Sequence, residues 1–275
     1  MENATWRLII SSSPDHGAMN MAIDEAILSA IGVGLAPPTL RLYSWKTPCL
    51  SLGFAQSASD INLKRLTELN WQLVRRPTGG KAILHCDEVT YSVIAPSDEP
   101  RVRGGVLSSY LCLSKGLLTS LSILGASAYA KENYTNSKAA KPNGPICFEV
   151  PSNYEITING KKIIGSAQAR RDVGVLQHGT LPLFGDITRI IQVLKFRSRE
   201  EQIEASSSLL EHATTLETAL GKIISWESAC QALAEGFSTA LNLNLIEQQL
   251  LPQEIEIAQE LFESKYHHDS WTFRK

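Results

Sequence analysis

Two residues fifteen positions apart, Cys147 and Lys162, form the pair in this chain best suited to nucleophilic chemistry. An ordinary thiol is only slightly ionised at neutral pH, and a cation beside it raises the thiolate fraction. Cys147 stands in GPICFEVPSNY, just ahead of NYEITINGKKIIGSAQARR. In the second segment Asn159-Gly160 is the preferred pair for a two-residue type I′ hairpin turn. That turn sets Ile158 opposite Lys161, Thr157 opposite Lys162 and Ile156 opposite Ile163. Ile156, Ile158 and Ile163 then share one face, and Lys162 lies on the other with Glu155, Thr157 and Ile164. A lysine partly enclosed there can act as a fixed donor, or as the cation for Cys147 if the hairpin folds back on it. The plainer alternatives are a solvated strand lysine and an inert cysteine. Cys112 and Cys230 lie in apolar helical patterns and read as inert. Cys86 follows His85 directly, and neighbours on a strand point apart, so it is the weaker rival nucleophile.

The second chemical segment is RRPTGGKAILH, Arg75 to His85. Successive side chains on a strand point to opposite faces, so one of Arg75 and Arg76 should aim at a cleft. The other should meet solvent or a core carboxylate. Thr78-Gly79-Gly80 lets backbone N–H groups approach a phosphate or an acyl carbonyl. The spacing is not that of a Walker A loop, although Lys81 follows the glycines. A plain tight turn carrying two surface arginines is the alternative.

These groups need a scaffold, and the periodicities supply one. Strands are expected over 5–11, 39–45, 49–54, 71–77, 81–85, 88–96 and 175–184, besides the two hairpin arms. GAMNMAIDEAILSAIG reads as a helix with Met19, Ala22, Ile23, Ala26 and Ile27 on its buried stripe. Asp60 is positioned to cap a short helix, INLKRLTEL. A long apolar helix covers 104–125, closed by Gly125. Residues 131–145 are polar and read as a surface loop that moves when substrate binds. From 186 onward the chain reads as mainly helical, with helices near 215–221, 225–243 and 252–264. Strands and helices mingle without a βαβ rhythm, which implies an α+β fold with a mixed or antiparallel sheet flanked by helices.

A formal charge of −2 over 275 residues offers no basic excess for nucleic acid. Five scattered cysteines, an odd number, read as reduced thiols of a cytoplasmic protein. No pair has C-x-x-C spacing, so no metal site is expected. The N-terminus lacks a secretory pattern, and no apolar run reaches the length of a membrane span.

Taken together, the segments resemble the lipoate–protein ligase and octanoyltransferase family, relatives of biotin–protein ligases. The likeness runs from Asn20-x-Ala22-x-Asp24-Glu25 through LRLYSWKTPCLSLGFAQ, RRPTGGKAILH and TYSV to GKKIIGSAQARR and LQHGTLPL. It implies one biotin/lipoate protein ligase catalytic domain over 1–275, with no separate C-terminal accessory domain. It also implies an acyl tunnel beside the RRPTGG loop, with Lys162 as the active-site lysine. Gly79, Gly80, His85, Gly165, Ser166, Ala167 and Gln168 would line the pocket. Arg75, Arg76, Thr78, Lys81, Ala82, His178 and Gly179 complete the expected substrate-binding set. Cys147, in C-F-E-V-P-S, looks like the nucleophile of the cysteine-dependent octanoyltransferases. That branch takes octanoate from acyl carrier protein and passes it to a lysine of a lipoyl domain or glycine cleavage H protein. It implies a monomer without cofactor. The alternatives are an ATP- and Mg-using lipoate ligase, an amidotransferase between lipoyl carrier domains, and a non-catalytic carrier-protein binder.

Overall fold

A computed structural model describes residues 1–132 and 154–274. Cys147 and residues 133–145 of the expected loop lie outside these residues, while Lys131 and Glu132 end a strand.

In chain order the elements are β1 (Ala4–Ile10), α1 (Gly17–Gly32), β2 (Thr39–Tyr43), β3 (Cys49–Leu52), α2 (Leu63–Glu68), β4 (Gln72–Arg75), β5 (Ile83–His85) and β6 (Glu88–Ala95). They continue with α3 (Val106–Ile123), β7 (Tyr129–Glu132), β8 (Tyr154–Ile158), β9 (Lys161–Arg171) and β10 (Gly174–Pro182). After a 3₁₀ segment (Ile187–Val193) come α4 (Arg199–His212), α5 (Leu216–Leu220), α6 (Trp226–Leu241), β11 (Leu243–Glu247), α7 (Pro252–Leu261) and α8 (Asp269–Thr272).

Among the described residues, eight strands form one sheet in the order β11-β1-β2-β6-β10-β9-β8-β7, and β4-β3-β5 form a second. The pairings β11-β1, β1-β2 and β3-β4 are parallel; the others are antiparallel. The architecture is α+β with a mixed sheet, as the sequence implied. Strand alternation divides the core. Trp6, Leu8, Tyr91 and Val93 face α3 and α6, whereas Ile9, Ile94 and Leu176 face α1 and α7. A third cluster, including Leu50, Leu52 and Ala82, packs the small sheet onto the 3₁₀ segment and α4.

Several local expectations hold for their stated reasons. Asn159 and Gly160 have φ of 51° and 78°, the two positive values a type I′ turn demands. Gly125, at φ 89°, follows α3, and Ala126 N–H donates to Leu121 O at 2.8 Å, closing a Schellman motif.

Others need correction. Asn62, not Asp60, caps α2, its side chain accepting from Arg65 N–H at 3.1 Å. Helix α1 is buried nearly all round between sheet and α7, so Met21 is fully buried while Met19 is not. Strands β7 and β11 and helix α4 went unread. Helix α4 is polar and fully buries only Leu209, so it carries no apolar period; Ser198 starts it by accepting from Glu201 N–H. Helix α3, with 18 residues and mean hydropathy 1.3, is long and apolar enough to cross a membrane, contrary to the sequence reading. It packs against α6, where Gly116 allows Phe237 to approach.

The most consequential difference is a β-bulge in the hairpin. Ile158 pairs with Lys161 and Thr157 with Lys162, as expected, but Ile156 pairs with Ile164. Ile163 is therefore an extra residue. Ile163 and Ile164 both pack with Ile156 and Ile158 in the core, and Lys162 keeps Glu155 and Thr157 on the opposite face. Beyond the bulge that face continues through Gly165 and Ala167, which pair with Thr180 and His178 on β10. The inserted residue re-aims Lys162 from the Ile164 face to this one.

Candidate active site

The RRPTGG loop is held by its own arginines. Both are buried, and among the described residues their hydrogen bonds run mainly to carbonyls. Arg75 donates to Gly53 O (2.7 Å), Gln56 O (2.6 Å) and Thr272 O (2.7 Å), tying the loop after β3 to α8. Arg76 donates to Ser51 O (3.0 Å), Gly79 O (2.8 Å) and Lys81 O (2.7 Å), closing the turn on itself. A five-donor fork suits this work because a tight turn leaves several carbonyls without backbone partners. Gly80 has φ 95°, and its carbonyl presses on Gly53, where a Cβ would lie 1.9 Å from the oxygen. A Cβ at Gly79 would meet nothing within 4 Å, so that face is open.

Behind the loop stand two buried histidines, each held at both ring nitrogens. His85 Nε2 lies 2.8 Å from Ser51 Oγ and Nδ1 2.7 Å from Glu88 Oε1, and the ring stacks on Trp45 at 4.0 Å. His178 Nε2 lies 2.6 Å from Thr78 Oγ1 and Nδ1 3.4 Å from Asp24 Oδ2. Asp24 also pairs with Arg41 at 2.8 Å and accepts from Ser92 Oγ at 2.6 Å and Tyr43 OH at 3.1 Å.

Burial pushes the His178 imidazole below its ordinary value, the Asp24 hydrogen bond and charge opposing it only in part. Burial would raise the Asp24 carboxyl, but the His178 hydrogen bond and the Arg41 charge outweigh it and hold the group below its ordinary value. The neutral ring therefore donates Nδ1–H to the carboxylate and accepts from Thr78 at Nε2.

Both shifts have one sign. The unfolded chain binds more protons than the folded one as pH falls, so folding weakens on acidification. The His178 contribution begins below about pH 6.5, and the Asp24 contribution is lost at lower pH, through its depressed folded value. Urea midpoints at pH 7.5 and 5.5 should differ in the wild type and differ less in His178→Gln. An equal difference in the two proteins would refute this assignment.

Lys162 completes the arrangement. It is 5% exposed, with Nζ 3.0 Å from Glu155 Oε1. It is an enclosed, ion-paired lysine and not a solvated one. Three residues along β9, Gly165, Ser166 and Ala167 line a small, partly open cavity of about 20 Å³ with Trp45, His85 and His178. Gly179 and Arg76 also border it. Ser166 Oγ is 2.7 Å from Tyr91 OH, and Gln168 is bonded to Gln177 at 2.9 Å.

A family model for the lipoyl protein ligase A/B catalytic domain matches residues 16–238. The chain belongs to this family. It is 40% identical over 274 residues to the octanoyltransferase LipM of Kyrpidia tusciae, covering 98% of this chain and 99% of that one. It is 39% identical over 275 residues to the octanoyltransferase LipM of Carboxydothermus hydrogenoformans, again covering 98% and 99%. Among solved structures, it is similar to that of an archaeal lipoylation system from Thermoplasma acidophilum. That structure is described as a bi-partite lipoate protein ligase and its E2 lipoyl domain. The match has TM-score 0.80 at 25% identity and covers 98% of this chain and 96% of that one.

Within this family framework, the expected site residues fall into three groups. Arg76, His85, Gly165, Ser166, Ala167, His178 and Gly179 meet around the small cavity. Gly79, Gly80, Lys81 and Gln168 border an open cleft of about 870 Å³. Arg75, Thr78 and Ala82 sit fully buried behind these walls.

Sequence reasoning missed the supporting carboxylates Asp24 and Glu88, and the cleft cations Arg170, Arg171, Lys265 and Arg274. A charged residue inside an apolar strand, as in TLRLY, was the available signal for Arg41 and its partner. Burial pushes the Cys86 and Cys230 thiols up to about 12 and raises those of Cys49 and Cys112. None of these four is activated. Among the described residues, no group of His, Cys, Asp and Glu could hold a metal.

Proposed function

We propose that this protein is an octanoyltransferase of lipoate biosynthesis. It takes octanoate from acyl carrier protein and delivers it to a lysine of a lipoyl domain or of glycine cleavage H protein. The observation that carries the reading is the full-length likeness to two octanoyltransferases, joined to a buried, ion-paired lysine on β9, the strand whose Gly165, Ser166 and Ala167 line the small cavity.

In the first half-reaction the Cys147 thiolate attacks the thioester carbonyl. The carbon–sulfur bond to the carrier breaks, and the departing thiolate takes up the proton that Cys147 gave up. In the second, the neutral ε-amine of the acceptor lysine attacks the acyl-enzyme; Cys147 leaves as thiolate and the new amide nitrogen sheds a proton. Lys162, with its ammonium fixed by Glu155, favours the Cys147 thiolate and the negative charge that grows on the carbonyl oxygen. Four protonated cysteines elsewhere support Cys147 as the nucleophile. The cleft's five cations, Lys81, Arg170, Arg171, Lys265 and Arg274, suit an anionic donor carrier. Each methylene buried from the acyl chain adds ~0.8 kcal/mol of binding.

The open polar cleft and the likeness to a lipoate protein ligase favour a second reading, ATP-dependent ligation. The test is direct. Octanoyl transfer from octanoyl-acyl carrier protein should proceed without nucleotide, leaving an octanoyl adduct on the enzyme that hydroxylamine removes. A strict need for ATP with pyrophosphate release would overturn the transferase reading.

A further inference from the structure

The small cavity is lined by polar groups that the proposed mechanism does not use, Thr180 among them. Thr180, near the end of β10, is 1% exposed and lines the cavity. Its Oγ1 is buried without a hydrogen-bond partner among the described residues. Its neighbours differ in this respect: His85, His178, Ser166 and Thr90 are each hydrogen-bonded. A buried hydroxyl left unpaired is destabilising, and such groups concentrate where a ligand completes them.

The hairpin bulge places this hydroxyl near the chemistry. Thr180 pairs directly with Gly165, and beyond the bulge Gly165 lies on the face that carries Lys162. Only Ile163 and Ile164 separate Lys162 from Gly165 along the strand, three steps or about 10 Å of backbone. The cavity that Thr180 lines is bordered also by Trp45, Ile83 and Gly179, and by Arg76, His85 and His178. A hydroxyl can donate only to an acceptor. In an acyl group the only acceptor near the reacting carbon is the carbonyl oxygen.

We propose that Thr180 is a catalytic residue whose hydroxyl donates a hydrogen bond to the carbonyl oxygen of the bound acyl group. The bond strengthens as that oxygen gains charge during attack by the nucleophile. Thr180 and Lys162 then act on the same acyl group from neighbouring strands. This inference rests on the acyl-transfer reading above.

Thr180→Val removes the hydroxyl and keeps the shape. It should lower kcat with octanoyl-acyl carrier protein by about a hundredfold, the size seen when one oxyanion donor is removed, with KM little changed. Thr180→Ser should restore most of the rate. The thermal midpoint of ligand-free Thr180→Val should equal or exceed that of the wild type, because no existing hydrogen bond is lost. Transfer by Thr180→Val at the wild-type rate would overturn the proposal. So would a fall of several degrees in its midpoint, since the hydroxyl would then already be bonded within the protein. A wild type inactive with the carrier thioester but active with lipoate and ATP overturns the transferase reading alone. The same comparison is then made on that reaction, where the acyl carbonyl is again present.

Discussion

Cys147→Ser should abolish the octanoyl-enzyme and lower transfer by on the order of 10³-fold or more. Serine keeps the size of the side chain, but its hydroxyl is almost wholly protonated at neutral pH, and the proposed mechanism supplies no dedicated base for it. Lys162→Ala tests the other half of the pair and should behave differently. The thiol remains and its cation is gone, so iodoacetamide should alkylate Cys147 more slowly at pH 7, and transfer should fall on the order of 10²-fold. The variant also removes the Lys162 partner of Glu155, 3.0 Å away, so its folding is checked separately by circular dichroism. Cys86→Ser and Cys112→Ser should stay active, because burial keeps those thiols protonated. Octanoate transfer by Cys147→Ser at the wild-type rate would eliminate covalent catalysis at this residue and favour the ATP-dependent alternative.

What the sequence disclosed of this site depended on the range of the interaction. The turn at Asn159-Gly160 was legible because its two positive φ values are a local demand. The closeness of Gly80 to Gly53 was half legible: a glycine pair announces a tight turn, but not that the Gly80 carbonyl faces another glycine 27 positions earlier. Lys162 was placed beside Glu155 and Thr157 correctly and beside Ile164 wrongly. A bulge leaves no mark in an apolar run where both candidate residues, Ile163 and Ile164, are isoleucine. The arginine pair was legible only in part: Arg76 does border the cavity, as one of the two was expected to. Alternation correctly sends Arg75 and Arg76 to opposite faces, yet both faces at this point of the fold are lined with carbonyls. The charged centre around Asp24 was signalled only by Arg41 within the apolar TLRLY, because its members come from α1, β2, β6 and β10, and only the folded sheet brings them together.

That centre carries the largest expected effect on stability. Asp24 and Arg41 are both fully buried, and the carboxylate also serves Ser92, Tyr43 and His178. Asp24→Ala would leave the Arg41 guanidinium in the core with Asn20 as its one acceptor among the described residues, through O at 3.2 Å and Oδ1 at 2.7 Å. Removing one partner of a buried pair costs about 3–5 kcal/mol, which urea denaturation at pH 7.5 would report as a much lower midpoint. The double variant Asp24→Leu/Arg41→Met replaces the pair by carbon and should recover much of that loss, because neither charge remains to be desolvated. Activity should not recover with it. Without Asp24 the His178 ring loses the acceptor that fixes its Nδ1–H, and with it the orientation of one cavity wall. A single variant within ~1 kcal/mol of the wild type would show that the pair is not the keystone of this layer. A double variant that regains both stability and full transfer would show that His178 needs no carboxylate to hold it.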